Sequence, residues 1–105
     1  MKILAITSCP AGVAHTFIAK RSLQKAAKAM GHEIKVETQG AMGIENEITD
    51  KDIENADLVI FAADTKVDKS ERFESLFCYE TSVAAAVKDG QDVIKKAIEA
   101  FKVNK

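Results

Sequence analysis

The chain is short of cysteine, proline and long apolar runs, and each shortage removes a class of protein. Two cysteines in 105 residues, Cys9 and Cys78, make neither a disulfide scaffold nor a CxxC pair nor a metal-ligating cluster, and they suit a reducing compartment. The single proline, Pro10, leaves no proline-rich linker. No stretch approaches the roughly 18 apolar residues of a membrane span. The N-terminus has no signal-peptide pattern: Lys2 is followed by a short apolar run and then by Thr7, Ser8 and Cys9. Acid and base nearly cancel, 15 Lys and Arg against 16 Asp and Glu for a net charge of −1, so the overall charge draws the chain neither to nucleic acid nor to anionic lipid. There is no internal repeat, no low-complexity segment, no Walker lysine motif and no carboxylate cluster. These absences predict a cytoplasmic chain with no nucleic-acid partner, no membrane insertion, no metal and no cofactor. What is present is an ordinary globular composition, 47% apolar, at a length that suits one domain over 1–105 and not two.

The apolar residues fall into two alternating patterns. Ile3-Leu4-Ala5-Ile6, within a strand predicted over Lys2 to Thr7, is apolar on both faces and therefore central and parallel. Ala19, Leu23, Ala26 and Met30 repeat at helical spacing and predict the buried stripe of a helix from about Ala14 to Met30, closed by Gly31. Glu33 to Thr38 alternates, with Ile34, Val36 and Thr38 on one side and Glu33, Lys35 and Glu37 on the other, as in a half-exposed edge strand. Gln39 to Gly43 reads as a loop, Thr49 as the N-cap of a short helix to about Asn55, and Leu58 to Ala62 as a second fully buried strand. Asp64 to Ser75 reads as polar loop and Phe77 to Tyr79 as a short strand with Cys78 as buried filler. Helices over about Ser82–Lys88 and Gln91–Phe101 close the chain, with Gly90 as the break and Val93, Ala97, Ile98 and Phe101 as the last core stripe. Strand and helix alternate, which predicts an α/β fold: an open four-stranded, mostly parallel sheet of order 2-1-3-4 with helices on both faces, Rossmann-like. In that order the chain reverses between the first and third strands, where open α/β sheets bind ligands.

Cys9 stands at that reversal, in Cys9-Pro10-Ala11-Gly12-Val13-Ala14-His15-Thr16, between a buried strand and a helix start. Unpaired backbone N–H groups and the helix dipole favour an anion there, so they favour both a thiolate and a phosphate bound to it. Cysteine-dependent phosphatases use the spacing Cys-x5-Arg followed by Ser or Thr. This chain keeps the spacing but puts His15 at the arginine position, and a histidine lacks the planar bidentate fork. No residue is tied to the role of leaving-group acid, although Asp64 and Asp68 are available. The pattern points to a segment that carries a phosphoryl group and hands it on. Gly12 allows close approach of backbone to ligand; Thr16 and His15 offer further donors. A phosphatase or arsenate-type reductase, a non-catalytic module that binds a phosphorylated partner, and a Cys9–Cys78 redox switch are the competing readings.

The same octapeptide resembles the signature of the fructose-specific IIB domains of the bacterial sugar phosphotransferase system. Val36-Glu37-Thr38-Gln39-Gly40, Glu45-Asn46-Glu47, Ala62-Ala63-Asp64, Val67-Asp68 and Arg72-Phe73 resemble that family in order and spacing, so the similarity covers nearly the whole chain. Ala11 departs from it, since family members commonly carry threonine there. The resemblance implies that Cys9 accepts a phosphoryl group from a phosphohistidine on a IIA domain. As a phosphocysteine it then passes the group to fructose or a fructose-like sugar held by a membrane IIC domain. It implies a phosphate-binding set of Pro10, Ala11, Gly12, Val13, Ala14, His15 and Thr16. Phe17, Lys20, Arg21, Gln39, Gly40, Asp64 and Arg72 are candidates for supporting or partner contacts, with Phe17, Lys20 and Arg21 grouped on the polar face of the helix.

Overall fold

The computed structural model describes residues 1–8, 13–40, 43–64, 67 and 69–103; the side chains of residues 13–15 and 40 lie outside it. Strand β1 (Lys2–Ser8) is the centre of the sheet because it has no polar face to give to water: Ile3, Leu4, Ala5 and Ile6 are all 0% exposed. Helix α1 (Val13–Ala29) buries Ala19, Leu23 and Ala26 of the expected stripe and adds Ala27, while Met30, the fourth expected member, lies just past the helix and is half-buried against the core. It ends in a Schellman arrangement: the His32 N–H donates to the Ala27 carbonyl and the Gly31 N–H to the Lys28 carbonyl. That turn requires the left-handed backbone that Gly31 supplies, at φ 78°.

Strand β2 (Glu33–Gly40) runs two residues further than predicted. Its end turns back into a third strand, β3 (Gly43–Glu45), paired antiparallel with Thr38 opposite Glu45 and Gly40 opposite Gly43. The segment read as a loop is thus a hairpin, joined by residues 41 and 42, which lie outside the described residues. β2 is therefore not an edge, and the sheet has five strands, not four.

The capping box at Thr49 forms as expected. Its hydroxyl accepts from the Asp52 N–H, and Asp52 accepts from the Thr49 N–H, opening α2 (Asp50–Asn55). Strand β4 (Leu58–Ala63) and β5 (Phe77–Thr81) complete the sheet, with a 3-10 turn, Ser70–Phe73, between them. α3 (Val83–Lys88), N-capped by Ser82, and α4 (Gly90–Val103) follow. The order is β3-β2-β1-β4-β5. The four parallel strands keep the predicted sequence of neighbours, and the short antiparallel β3 is added outside β2.

The sheet is covered on both faces, with the larger core under α1, α3 and α4. It gathers Ile3, Ala5, Leu23, Val36, Leu58, Ile60, Val93, Ile94 and Ala97. The other face packs Leu4, Ile6 and Val59 against Ile48, Val67 and Phe73, with Ile53 of α2 at its border. Phe73, within the stretch read as polar loop, is fully buried and meets Phe61 edge-on at 5.6 Å. Gly90 is not the break between the last helices. Asp89 breaks them, with its carboxylate accepting the Asp92 N–H, and Gly90 opens α4 because nothing larger fits. A Cβ there would stand 2.7 Å from the Ser22 carbonyl oxygen of α1. Cys78 is also corrected: it is exposed, because strand alternation turns Phe77 and Tyr79 toward the core and the thiol the other way.

Candidate active site at the carboxyl edge of the sheet

β1 pairs in parallel with β2 on one side and β4 on the other, and their carboxyl ends are level: Ser8 stands opposite Gln39 and opposite Ala63. The chain reverses direction across β1, so this edge is the switch point at which open α/β sheets bind ligands. Residues 9–12 connect Ser8 to the first residue of α1. Cys9, Pro10, Ala11 and Gly12 lie outside the described residues, as do the side chains of Val13, Ala14 and His15, whose backbone forms the first turn of α1. Thr16 is 1% exposed, and its carbonyl accepts the Thr7 hydroxyl at 3.3 Å, which fixes the start of α1 to the end of β1. Asp64 links the neighbouring strand: its N–H donates to the Ser8 carbonyl at 2.9 Å, and its carboxylate accepts the Val83 N–H of α3 at 3.2 Å.

Beneath this edge, on the face of β1 that carries Leu4 and Ile6, lies a polar cluster that the strand pattern assigned to solvent. Glu37, opposite Ile6 in the ladder, is 0% exposed. Its Oε1 accepts Arg72 Nη1 at 3.0 Å and the Ile48 N–H at 2.8 Å. Its Oε2 accepts Arg72 Nη2 at 3.0 Å and Gln39 Nε2 at 2.7 Å. Burial alone would raise the Glu37 carboxyl, but the Arg72, Ile48 and Gln39 donors and the guanidinium charge outweigh it and hold the group below the usual carboxylate range. Arg72 also donates to the Ile48 and Lys69 carbonyls and lies over the Phe73 ring at 4.8 Å. The cluster ties the 3-10 turn and the segment after β3 to the end of β2, across β1. Among the described residues no buried side-chain nitrogen or oxygen lacks a partner.

The candidates therefore separate into groups. Gln39 and Arg72 meet through Glu37; Gln39 is buried in β2 and is not a residue of an open loop. Gly40 closes the hairpin against Gly43. Asp64 joins β1, β4 and α3. Phe17 and Arg21 lie on the outer surface of α1, where with Ile18, Ser22 and Lys25 they line a depression of about 480 Å³; Lys20 is half-buried and not part of that lining. Glu37 and Ile18 were missed. A pairing of Glu37 with a distant arginine has no local signal, whereas Ile18, an isoleucine off the buried stripe of an amphipathic helix, was visible. Among the described residues no group of three or more His, Cys, Asp or Glu side chains is placed to hold a metal ion, and no helix is long and apolar enough to cross a membrane.

A doubly wound α/β sheet with a helix start and two strand ends meeting at its switch point defines a class: open α/β domains whose ligands bind at that edge. Comparison with known proteins narrows it. Residues 4–96 match the family described as PTS system, Lactose/Cellobiose specific IIB subunit. The chain is 48% identical over 99 residues to the PTS system fructose-like EIIB component 2 of Escherichia coli K12, covering 94% of this chain and 92% of that protein. It is 51% identical over 98 residues to the fructose-specific EIIB'BC component of Rhodobacter capsulatus, covering 93% of this chain but only 17% of that longer protein. Among solved structures, the enzyme IIB subunit of the PTS system from E. coli K12 superposes with a TM-score of 0.89 at 40% identity, over 98% of this chain and 95% of that one. A domain of the fructose-specific IIABC component of Borrelia burgdorferi gives 0.88 at 44%, over 93% of each. The chain belongs to the IIB family of the bacterial sugar phosphotransferase system and is a phosphotransferase component of sugar uptake.

Proposed function

We propose that residues 1–105 act as a single phosphocysteine carrier domain with Cys9 as the nucleophile. In the first transfer the Cys9 thiolate attacks the phosphorus of a phosphohistidine on a IIA domain. The S–P bond forms, and the P–N bond to the donor imidazole breaks. In the second, a hydroxyl oxygen of fructose or a fructose-like sugar held by IIC attacks phosphorus. The sugar proton leaves to the IIC side and the thiolate is regenerated. Such transfers need positioning and stabilisation of charge on the phosphoryl oxygens more than covalent help from the protein. Backbone N–H groups of residues 11–16 are assigned that role, Pro10 having none to give, with the His15 ring and the Thr16 hydroxyl as further donors.

The observation that carries this reading is the place of the Cys9 segment in the chain. It joins the end of central strand β1 to the start of a 17-residue helix, at the edge where β1, β2 and β4 end level. The relatives, a fructose-like EIIB, a fructose-specific EIIB'BC and a fructose-specific IIABC component, support fructose-type sugars and IIA and IIC partners; with IIC as acceptor, the domain works at the inner membrane face. The test is transfer with purified components: a phosphorylated IIA domain, this chain, and membranes carrying IIC with labelled sugar. Cys9→Ser abolishes sugar phosphorylation under the proposal. Transfer at the wild-type rate by that variant would refute it.

A further inference from the structure

We propose that the outer surface of α1 is the docking face for the phosphorylated donor domain, recognised as an apolar centre ringed by carboxylates; this rests on the carrier reading above. Phe17 and Ile18 are 41% and 50% exposed, side by side one turn into the helix that follows the Cys9 segment, and neither belongs to either core. They share their depression with Arg21 and Lys25. A second depression of about 400 Å³ shares Ser22 and Lys25 with it and runs on along α1 to Lys88, where α3 meets α4. The helix carries Lys20, Arg21, Lys25 and Lys28 and no carboxylate, in a chain whose net charge is −1. An exposed apolar pair beside concentrated positive charge, contiguous with the segment that must meet the donor, is the complement of an acidic, apolar-centred protein surface.

The charge arrangement also gives the encounter a direction. A phosphoryl group brings roughly two negative charges at neutral pH. Before transfer those charges sit on the donor and add to its attraction for α1. After transfer they sit on Cys9, four residues before α1 in the chain, and offset the positive charge that held the donor. Donor binding is therefore tighter in the phosphorylated state, and the product complex dissociates more readily. Because screening acts over about 8 Å at physiological salt, the cations beside the exposed pair, Arg21 and Lys25, dominate.

The experiment measures initial rates of phosphoryl transfer from a phosphorylated IIA domain to the full chain for Ile18→Asp, Lys25→Glu and, as a control on the opposite face of the sheet, Lys51→Glu. Each α1 variant raises KM for the donor about tenfold or more, as expected for a residue at the centre of an interface or a charged contact beside it, with kcat changed less than twofold; Lys51→Glu leaves both unchanged. Circular dichroism and urea unfolding confirm that the variants fold. Unchanged KM in both α1 variants overturns the proposal. It is equally overturned if the variants instead lose binding to phosphatidylserine-containing vesicles, or lose self-association in sedimentation, while KM holds. A wild-type chain that accepts no phosphoryl group sinks the carrier reading alone. The docking face is then judged by the Kd of phosphorylated donor for the Cys9→Ser chain with and without Ile18→Asp: about tenfold weakening supports it, and no binding or no change refutes it.

Discussion

Replacing Arg72 with methionine exposes what the Glu37 cluster contributes. The substitution keeps an unbranched apolar stem that can still lie on Phe73, but it removes two of the four donors to Glu37 together with the compensating charge. Breaking a buried ion pair by deleting one partner costs roughly 3–5 kcal/mol. The Arg72 side chain is 15% exposed while Glu37 is 0%, so water can reach the vacated side and the loss belongs at the lower end, about 3 kcal/mol. Against a total of roughly 5–15 kcal/mol for a small domain that is large. The signature is its pH dependence. In the native chain the Glu37 carboxyl is held low, so its contribution is complete above the ordinary carboxylate range and is lost as pH falls through the lower folded value. In Arg72→Met the buried carboxylate, without its cation, is raised instead, so the variant recovers stability as pH falls and the group protonates. Both effects make the difference from wild type grow with pH. Urea unfolding at pH 7 and again near pH 4.5 checks it: a gap of about 3 kcal/mol at neutrality narrows in acid, and Glu37→Leu/Arg72→Met together cost less than Arg72→Met alone. A gap that is the same at both pH values, or below about 1 kcal/mol throughout, would show that the pair is not the buried, coupled unit described.

Three further outcomes follow from the packing and the caps. Gly90→Ala forces a methyl against the Ser22 backbone and separates α4 from α1; the expected loss is about 1–3 kcal/mol, read as a lowered urea midpoint with an unchanged slope. Thr49→Ala removes the side-chain half of the capping box and costs about 1 kcal/mol by the same measurement. Asp52, held at about 2 first by the Lys35 ammonium at 2.6 Å and then by the Thr49 N–H, contributes stability that is complete above its ordinary value and lost as pH falls toward 2. Asp52→Asn accordingly flattens the acid limb of the stability curve.

The elements with uninterrupted periodicity were legible in the sequence. α1 and α4 announced their buried stripes, and β1 and β4, apolar on both faces, announced a parallel centre; the order of the parallel strands followed from crossover handedness together with an edge-like β2, although the edge beyond β2 is taken by β3. β3 was not legible because three residues bounded by Gly40 and Gly43 carry no alternation, and only pairing with β2 makes them a strand. Glu37 was misplaced for a related reason. Alternation correctly puts Glu33, Lys35 and Glu37 on one face, but it cannot report that Ile48 and Phe73 cover that face only at its carboxyl end. Arg72 is 35 residues away in the chain, beyond any local rule. Cys78 was misjudged by composition: two aromatic neighbours suggested burial, although period two places them on the face opposite the thiol. At the carboxyl edge, the meeting of the ends of β1 and β4, where Asp64 bonds Ser8, followed from topology; Cys9 itself lies outside the described residues. The interlocking of Gln39, Glu37 and Arg72 needed coordinates, since it depends on which side chains a five-stranded sheet brings under one cover.

The most direct test of the central claim is to locate the phosphoryl group. The chain is incubated with phosphoenolpyruvate, the general phosphotransferase proteins and a fructose-type IIA domain, and intact-mass measurement is followed by peptide mapping under conditions that preserve S–P bonds. One phosphoryl adduct is expected, on Cys9 and absent from Cys9→Ser; an adduct on His15, or none on a wild-type chain that still supports sugar phosphorylation, rules out Cys9 as the carrier.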